Sequence, residues 1–187
     1  MIIRNKALQV NGLIYTIRSA IETDAEELVQ LRPQIDGETE NLDRERGEAF
    51  IDVAGFERLI RSDSHSPVNL FLLAVVNRRI VGFSRCEGSH LKRLAHTVEF
   101  GVCVLKDFWG YGIGKHLLTA SIAWADANGI KKMALSALET NVRAINLYQR
   151  FGFEIEGILK NDKILCDGKY YNTVVMGRWH DDENTHC

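Results

Sequence analysis

The stretch that most constrains this chain runs from Thr97 to Asp126, where an alternating apolar run passes through three closely spaced glycines into a helical run. Val98, Phe100, Val102 and Val104 alternate with Glu99, Gly101 and Cys103, the period of a strand with one buried face. A turn follows at Lys106-Asp107. Gly110, Gly112 and Gly114 then lead into a segment in which Ile113, Leu117, Ala120 and Trp124 recur at helical spacing. Glycines at the start of a helix leave the unpaired N–H groups of the first turn uncovered, at the positive end of the helix dipole. Such a place binds phosphates.

The spacing excludes two common phosphate loops. A dinucleotide fingerprint needs G-x-G-x-x-G, but counting from Gly112 the sixth position is Leu117, and from Gly110 the fourth and sixth are Ile113 and Lys115. A P-loop needs four residues between its glycines and then Lys-Ser/Thr. Here Gly110 and Gly114 enclose three, and His116 follows Lys115.

The run Trp109-Gly110-Tyr111-Gly112-Ile113-Gly114 resembles the coenzyme A loop of the GNAT superfamily of acyl-CoA N-acyltransferases, Q/R-x-x-G-x-G/A. Its first position departs, with Trp109 where Gln or Arg is usual; the backbone donors are unaffected. A second segment, Asn141 to Phe153, is similar to the other GNAT signature, N-x-x-A-x-x-L-Y-x-x-x-G-F. In it Asn141 is a good helix N-cap, Ala144, Leu147, Tyr148 and Phe151 share one face, and Gly152 suits a left-handed stop. The resemblance covers roughly residues 14 to 178, with its specific motifs between 97 and 153.

The resemblance implies an α+β fold, a mixed and largely antiparallel sheet flanked by helices, in which the strand before the glycine loop and the strand after its helix run parallel and splay apart around the pantetheine arm. It implies acetyl-CoA as co-substrate and no metal. The diphosphate would lie on the N–H groups from Trp109 to Lys115, that is on Trp109, Gly110, Tyr111, Gly112, Ile113, Gly114 and Lys115. Amides of the central strand near Val102, Cys103 and Val104 would meet the pantetheine and the acetyl oxygen, and Asn141 and Asn146 match positions that touch the pantetheine. Tyr148 matches the tyrosine that protonates the departing thiolate; seven residues after Asn141 is about two helical turns, ~10 Å. Glu99 is the candidate base, presented on the strand face opposite Val98 and Phe100. The implied route is direct attack by the amine in a ternary complex, with no covalent Cys103 intermediate.

The remaining elements follow the same order. Asn11-Gly12 between apolar runs marks a hairpin. A helix starting at Thr23 or Asp24 is expected to end near Pro33. The carboxylate-rich segment Asp36 to Glu48 follows, then a helix around Phe50 to Ile60, strands over 70–76 and 80–86, a strand over 132–137, and a final pair over 155–159 and 170–176 with a turn at Asp167-Gly168. His90 and His96 are read as local hydrogen-bonding residues outside the mechanism. The acidic loop together with Glu99 favours a cationic small amine, a polyamine or an amino-acid-like molecule, because carboxylates attract and orient cations.

The 187 residues read as one GNAT domain over 1–179 and a polar tail over 180–187. A net charge of −2 gives no reason to expect nucleic-acid binding, and no apolar run is long enough for a bilayer. The start lacks a signal peptide's apolar core. Cys86, Cys103, Cys166 and Cys187 lack metal-ligand spacing and read as reduced thiols of a cytoplasmic protein. Family members are often homodimers, although no segment here marks an interface. Two further readings are a GNAT-fold sensor that holds acyl-CoA without turnover and an N-acetyltransferase of proteins or peptides.

Overall fold

The structure, a computed structural model, describes residues 5–180, so the expected tail lies, His180 apart, outside the described residues. Strands β1 (Lys6–Val10) and β2 (Leu13–Ser19) form the Asn-Gly hairpin, with Asn11 at φ 49° and Gly12 at φ 80°, the left-handed pair that a two-residue turn requires. Next come α1 (Ala25–Asp36), α2 (Val53–His65), β3 (Leu70–Val76), β4 (Arg79–Gly88) and β5 (Thr97–Val104). Beyond the glycine loop lie α3 (Ile113–Ala127), β6 (Lys132–Leu138), α4 (Val142–Arg150), β7 (Glu154–Ile164) and β8 (Tyr170–Trp179). The strands make one eight-stranded sheet in the order β1-β2-β3-β4-β5-β6-β8-β7. Every neighbouring pair is antiparallel except β5–β6, the two strands joined through α3.

Three boundaries differ from the sequence expectations. Helix α1 does not stop at Pro33 but carries it inside and ends at Asp36, where the backbone N–H of Gly37 turns back to the Pro33 carbonyl. A proline removes one donor, and burial of Leu31 and Ile35 on the core side outweighs that loss. Helix α2 starts three residues later than expected because Asp52 caps it, accepting the Gly55 N–H at 2.7 Å, and it runs on to His65. β7 extends to Ile164, well past the expected Leu159, and its partner β8 inserts between it and β6.

Both faces of the sheet are covered. Glu27 of α1 accepts the Ile80 N–H, and Asp63 of α2 binds Arg85, so α1 and α2 lie on one face. On the other face α3 reaches Ser84 through Ser121, both fully buried. The core runs through Tyr15, Ile17, Leu28, Phe56, Leu72, Val98, Phe100, Leu117, Met133 and Phe153. Among the described residues, no helix is long and apolar enough to cross a membrane.

Candidate active site

The parallel ladder between β5 and β6 holds at only three positions, Thr97↔Lys132, Val98↔Met133 and Glu99↔Ala134, and beyond Glu99 the strands part. On its other edge β5 stays paired with β4 as far as Val104. Leu105 donates its N–H to the Val81 carbonyl at 2.9 Å. Antiparallel alternation therefore points the amides of Cys103 and Gly101 at β4, and turns those of Val102 and Val104 into the gap. This corrects the sequence expectation at Cys103, which faces the opening with its side chain and not with its amide. Burial, and then the nearby Asp36 carboxylate, push the Cys103 thiol above its ordinary range. A thiol held protonated is a poor nucleophile.

A cleft of about 880 Å³ opens at the gap. Of the residues singled out by sequence, Glu99, Val102, Cys103, Val104, Trp109, Gly110, Gly112, Ile113, Gly114, Lys115, Asn141, Asn146 and Tyr148 line it, and Tyr111 does not. Tyr111 instead turns its carbonyl inward to accept the Tyr15 hydroxyl at 3.1 Å. Gly110 and Gly112 have φ of 89° and 74°, which few side-chain-bearing residues tolerate, and Gly112 is itself the N-cap of α3. Space beside Gly110 is open, with no atom within 4 Å of where a Cβ would stand. A charged phosphate group can therefore approach the loop backbone. Trp109 closes the loop's entrance: its indole N–H donates to the Val104 carbonyl at 2.8 Å, tying loop to strand end.

Tyr148 projects from α4, buried, with its ring tilted against Phe153 at 5.8 Å between centroids. Burial pushes its hydroxyl up to about 12, so it carries its proton throughout the neutral range. Asn141 caps α4 by accepting the Ala144 N–H at 3.3 Å, which accounts for this residue without a ligand. Glu99, exposed, stands directly across from Glu87 on β4. Like charges facing each other across a ladder repel, and Arg85 relieves this by binding Glu87 at 2.5 Å. His90 and His96 do not line the cleft; the His96 ring contacts Trp179.

Sequence reasoning missed the charged frame of the cleft's other half. Arg85 is held by Asp63, 1% exposed, through two bonds of 2.6 and 3.0 Å, and Asn69 donates to the same carboxylate at 2.7 Å. Arg44 is held by buried Asp36 through two bonds of 3.2 Å. Both arginines line the cleft, with Glu87, Glu99 and Asp43. The acidic loop, expected to attract a cationic amine, is largely engaged with the protein itself. Glu38 accepts the Lys106 N–H at 2.7 Å, Glu40 the Cys166 N–H at 2.8 Å, and Asp43 pairs with Lys163. Its carboxylates strap the loop to the end of β5 and to the β7–β8 hairpin.

Residues 34–153 match the model of the Acetyltransferase (GNAT) family. The chain belongs to the GNAT acetyltransferase family. This GNAT chain is 29% identical over 109 residues to the L-amino acid N-acetyltransferase AaaT of Escherichia coli, a match covering 57% of the chain and 66% of that protein. Other curated relatives, named for acetylation of spermine, ribosomal protein bS18 or L-methionine sulfoximine, are covered over 35% to 70% of their length. Among solved structures, a GNAT acetyltransferase from Streptococcus pneumoniae superposes with a TM-score of 0.86 at 29% identity, covering 89% of this chain and 99% of that one. YncA from Salmonella typhimurium, solved with its cofactor acetyl-CoA, gives 0.79 at 19% identity over 92% and 98%. The mixed sheet with its single parallel seam is thus the fold of this family. Among the described residues of this GNAT chain, no group of three or more His, Cys, Asp or Glu side chains could hold a metal ion.

Proposed function

We propose that the protein transfers the acetyl group of acetyl-CoA to the primary amine of a small, amino-acid-like molecule by direct attack in a ternary complex. The observation that carries this reading is the gap between β5 and β6, which joins a glycine loop at one end to Glu99 and Tyr148 at the other, in a single cleft. Acetyl-CoA supplies an activated thioester. Gly110 to Lys115 would hold its diphosphate on backbone N–H groups, with Lys115 adding positive charge. The Val102 and Val104 amides, left without a strand partner, are available to the pantetheine and to the acetyl oxygen, whose charge grows in the transition state.

Glu99 accepts a proton from the amine as nitrogen bonds to the acetyl carbon, directly or through a water. As the carbon–sulfur bond breaks, Tyr148 gives its proton to the sulfur, and the proton balance is restored from solvent. A Tyr kept protonated by burial is a donor in the state the step requires.

The acceptor half supports an amine that also carries a negative group. Arg44 and Arg85, each anchored by a buried carboxylate, line it beside Glu87, Glu99 and Asp43, while Glu38 and Glu40 of the acidic loop face backbone amides of distant segments. A zwitterion matches this mixed lining better than a polyamine, which offers no anion to either arginine. The test is free-thiol release from acetyl-CoA across L-amino acids, spermidine, an aminoglycoside and a short peptide, with no-acceptor controls. Turnover with amino acids is expected. Turnover with spermidine or the peptide alone overturns the acceptor assignment, and silence with all, while acetyl-CoA still raises the melting temperature, overturns catalysis in favour of a sensor.

A further inference from the structure

Tyr15 belongs to the terminal hairpin, 96 residues before the loop carbonyl it touches. It is 1% exposed, yet its hydroxyl emerges beneath the phosphate loop and meets two groups there. The Tyr111 carbonyl lies at 3.1 Å and Nδ1 of His116, in the first turn of α3, at 2.5 Å. A carbonyl only accepts, so the hydroxyl proton goes to Tyr111, and the Tyr15 oxygen must accept from His116. Satisfying both contacts at once assigns the imidazole the tautomer that carries its proton on Nδ1. Burial, and then Lys115 and Lys6, hold His116 below its ordinary range, consistent with a neutral ring.

The consequence concerns the loop. Gly110 and Gly112 give it positive-φ turns and no side chains with which to hold its own shape. Trp109 ties its entrance to Val104, and α3 anchors its exit through the His116 N–H to the Gly112 carbonyl at 2.9 Å. Between these anchors Tyr15 bonds both the loop backbone at Tyr111 and the helix side chain at His116, and its oxygen sits 3.8 Å from where a Cβ of Gly112 would be.

We infer that Tyr15, with His116, is a positioning pair that holds the phosphate loop open to the diphosphate of coenzyme A, and so sets affinity for the donor and not the chemical step. The inference rests on the donor assignment made above. Phosphate recognition by backbone N–H groups depends on their convergence, and a loop that must be ordered on binding loses affinity in proportion.

The experiment is calorimetric binding of coenzyme A and of pantetheine, which lacks the diphosphate, alongside steady-state kinetics, for Tyr15→Phe, His116→Leu and His116→Asn. Tyr15→Phe keeps the buried ring and removes only the hydroxyl. It is expected to weaken coenzyme A about tenfold, the scale of one lost hydrogen bond, with pantetheine binding and kcat unchanged. His116→Leu should do the same, the double variant should be no worse than either single one, and His116→Asn, whose amide replaces the Nδ1–H donor, should recover most of the affinity. Equal losses for coenzyme A and pantetheine, a fall in kcat at constant KM, or no change in coenzyme A affinity in a folded Tyr15→Phe protein would each overturn the inference. Failure of the unaltered protein to bind coenzyme A would instead strike the donor assignment itself.

Discussion

The two halves of the cleft are built from different materials. The proposed donor half is made mainly of backbone: two strand amides freed where β5 leaves β6, and a loop opened by Gly110, Gly112 and Gly114. The proposed acceptor half is made of charged side chains from the loop after α1, β4 and β5, with Arg44 held by Asp36 of α1, Arg85 by Asp63 of α2 and Glu87 by Arg85. Backbone recognition depends on contiguous residues in one conformation. Side-chain recognition depends on topology bringing distant residues together. The first kind of site tolerates little change at a few positions, and the second can be retuned charge by charge.

The sharpest break of this comparison is Gly112→Asp. It puts a carboxylate at the loop and a side chain at φ 74°, and it should abolish detectable coenzyme A binding by calorimetry while the protein, somewhat destabilised by the strained backbone, stays folded. Normal affinity would remove the loop from the donor half. Next come the two groups at the junction. Glu99→Gln should lower kcat/KM for the acceptor on the order of 10²–10³-fold, and Tyr148→Phe should lower kcat by ~10²-fold with acetyl-CoA affinity nearly unchanged. A loss of donor affinity in either variant would show that the halves are not separable.

Arg85→Met probes the acceptor frame alone. It should raise the acceptor KM about tenfold and leave the acetyl-CoA KM untouched. It should also cost about 3 kcal/mol of stability in denaturant titration, because Asp63 is left buried beside Asn69 without its cation. The smallest effect is spectroscopic. Tyr148 is held protonated by burial, so its raised value favours folding below pH 10, and that contribution is lost as pH rises from 10 to about 12. Ultraviolet titration of Tyr148→Phe should lack one phenol that ionises near 12 in the parent; loss of one ionising near 10 would contradict the burial described.

This division also explains what was legible in the sequence. The hairpin at Asn11-Gly12, the alternation in β5, the glycine loop and the Asn141 cap are local features, and each appears where its residues predicted it. Local rules failed where tertiary burial overrode them, as at Pro33, where helix α1 continues past its breaker to bury Ile35. The Asp63–Arg85 and Asp36–Arg44 pairs were invisible because spacing along a chain does not say which charges meet. The carboxylates between α1 and α2 misled for the same reason: composition showed their number, and only the fold showed that Glu38 and Glu40 face backbone amides of distant segments. Tyr15 carries no signal in the sequence, since nothing within the hairpin points to a partner 96 residues away.

The three-rung seam between β5 and β6 has a mechanical consequence. Five strands lie on one side of it and three on the other, and α3 is the chain's crossing between them. A molecule held in the gap on the freed Val102 and Val104 amides, and packed against β6, would act as a clasp. Amide exchange along the inner borders of the seam should therefore slow when the clasp is in place, and its departure leaves the centre of the sheet, usually a fold's most protected region, as its line of easiest opening.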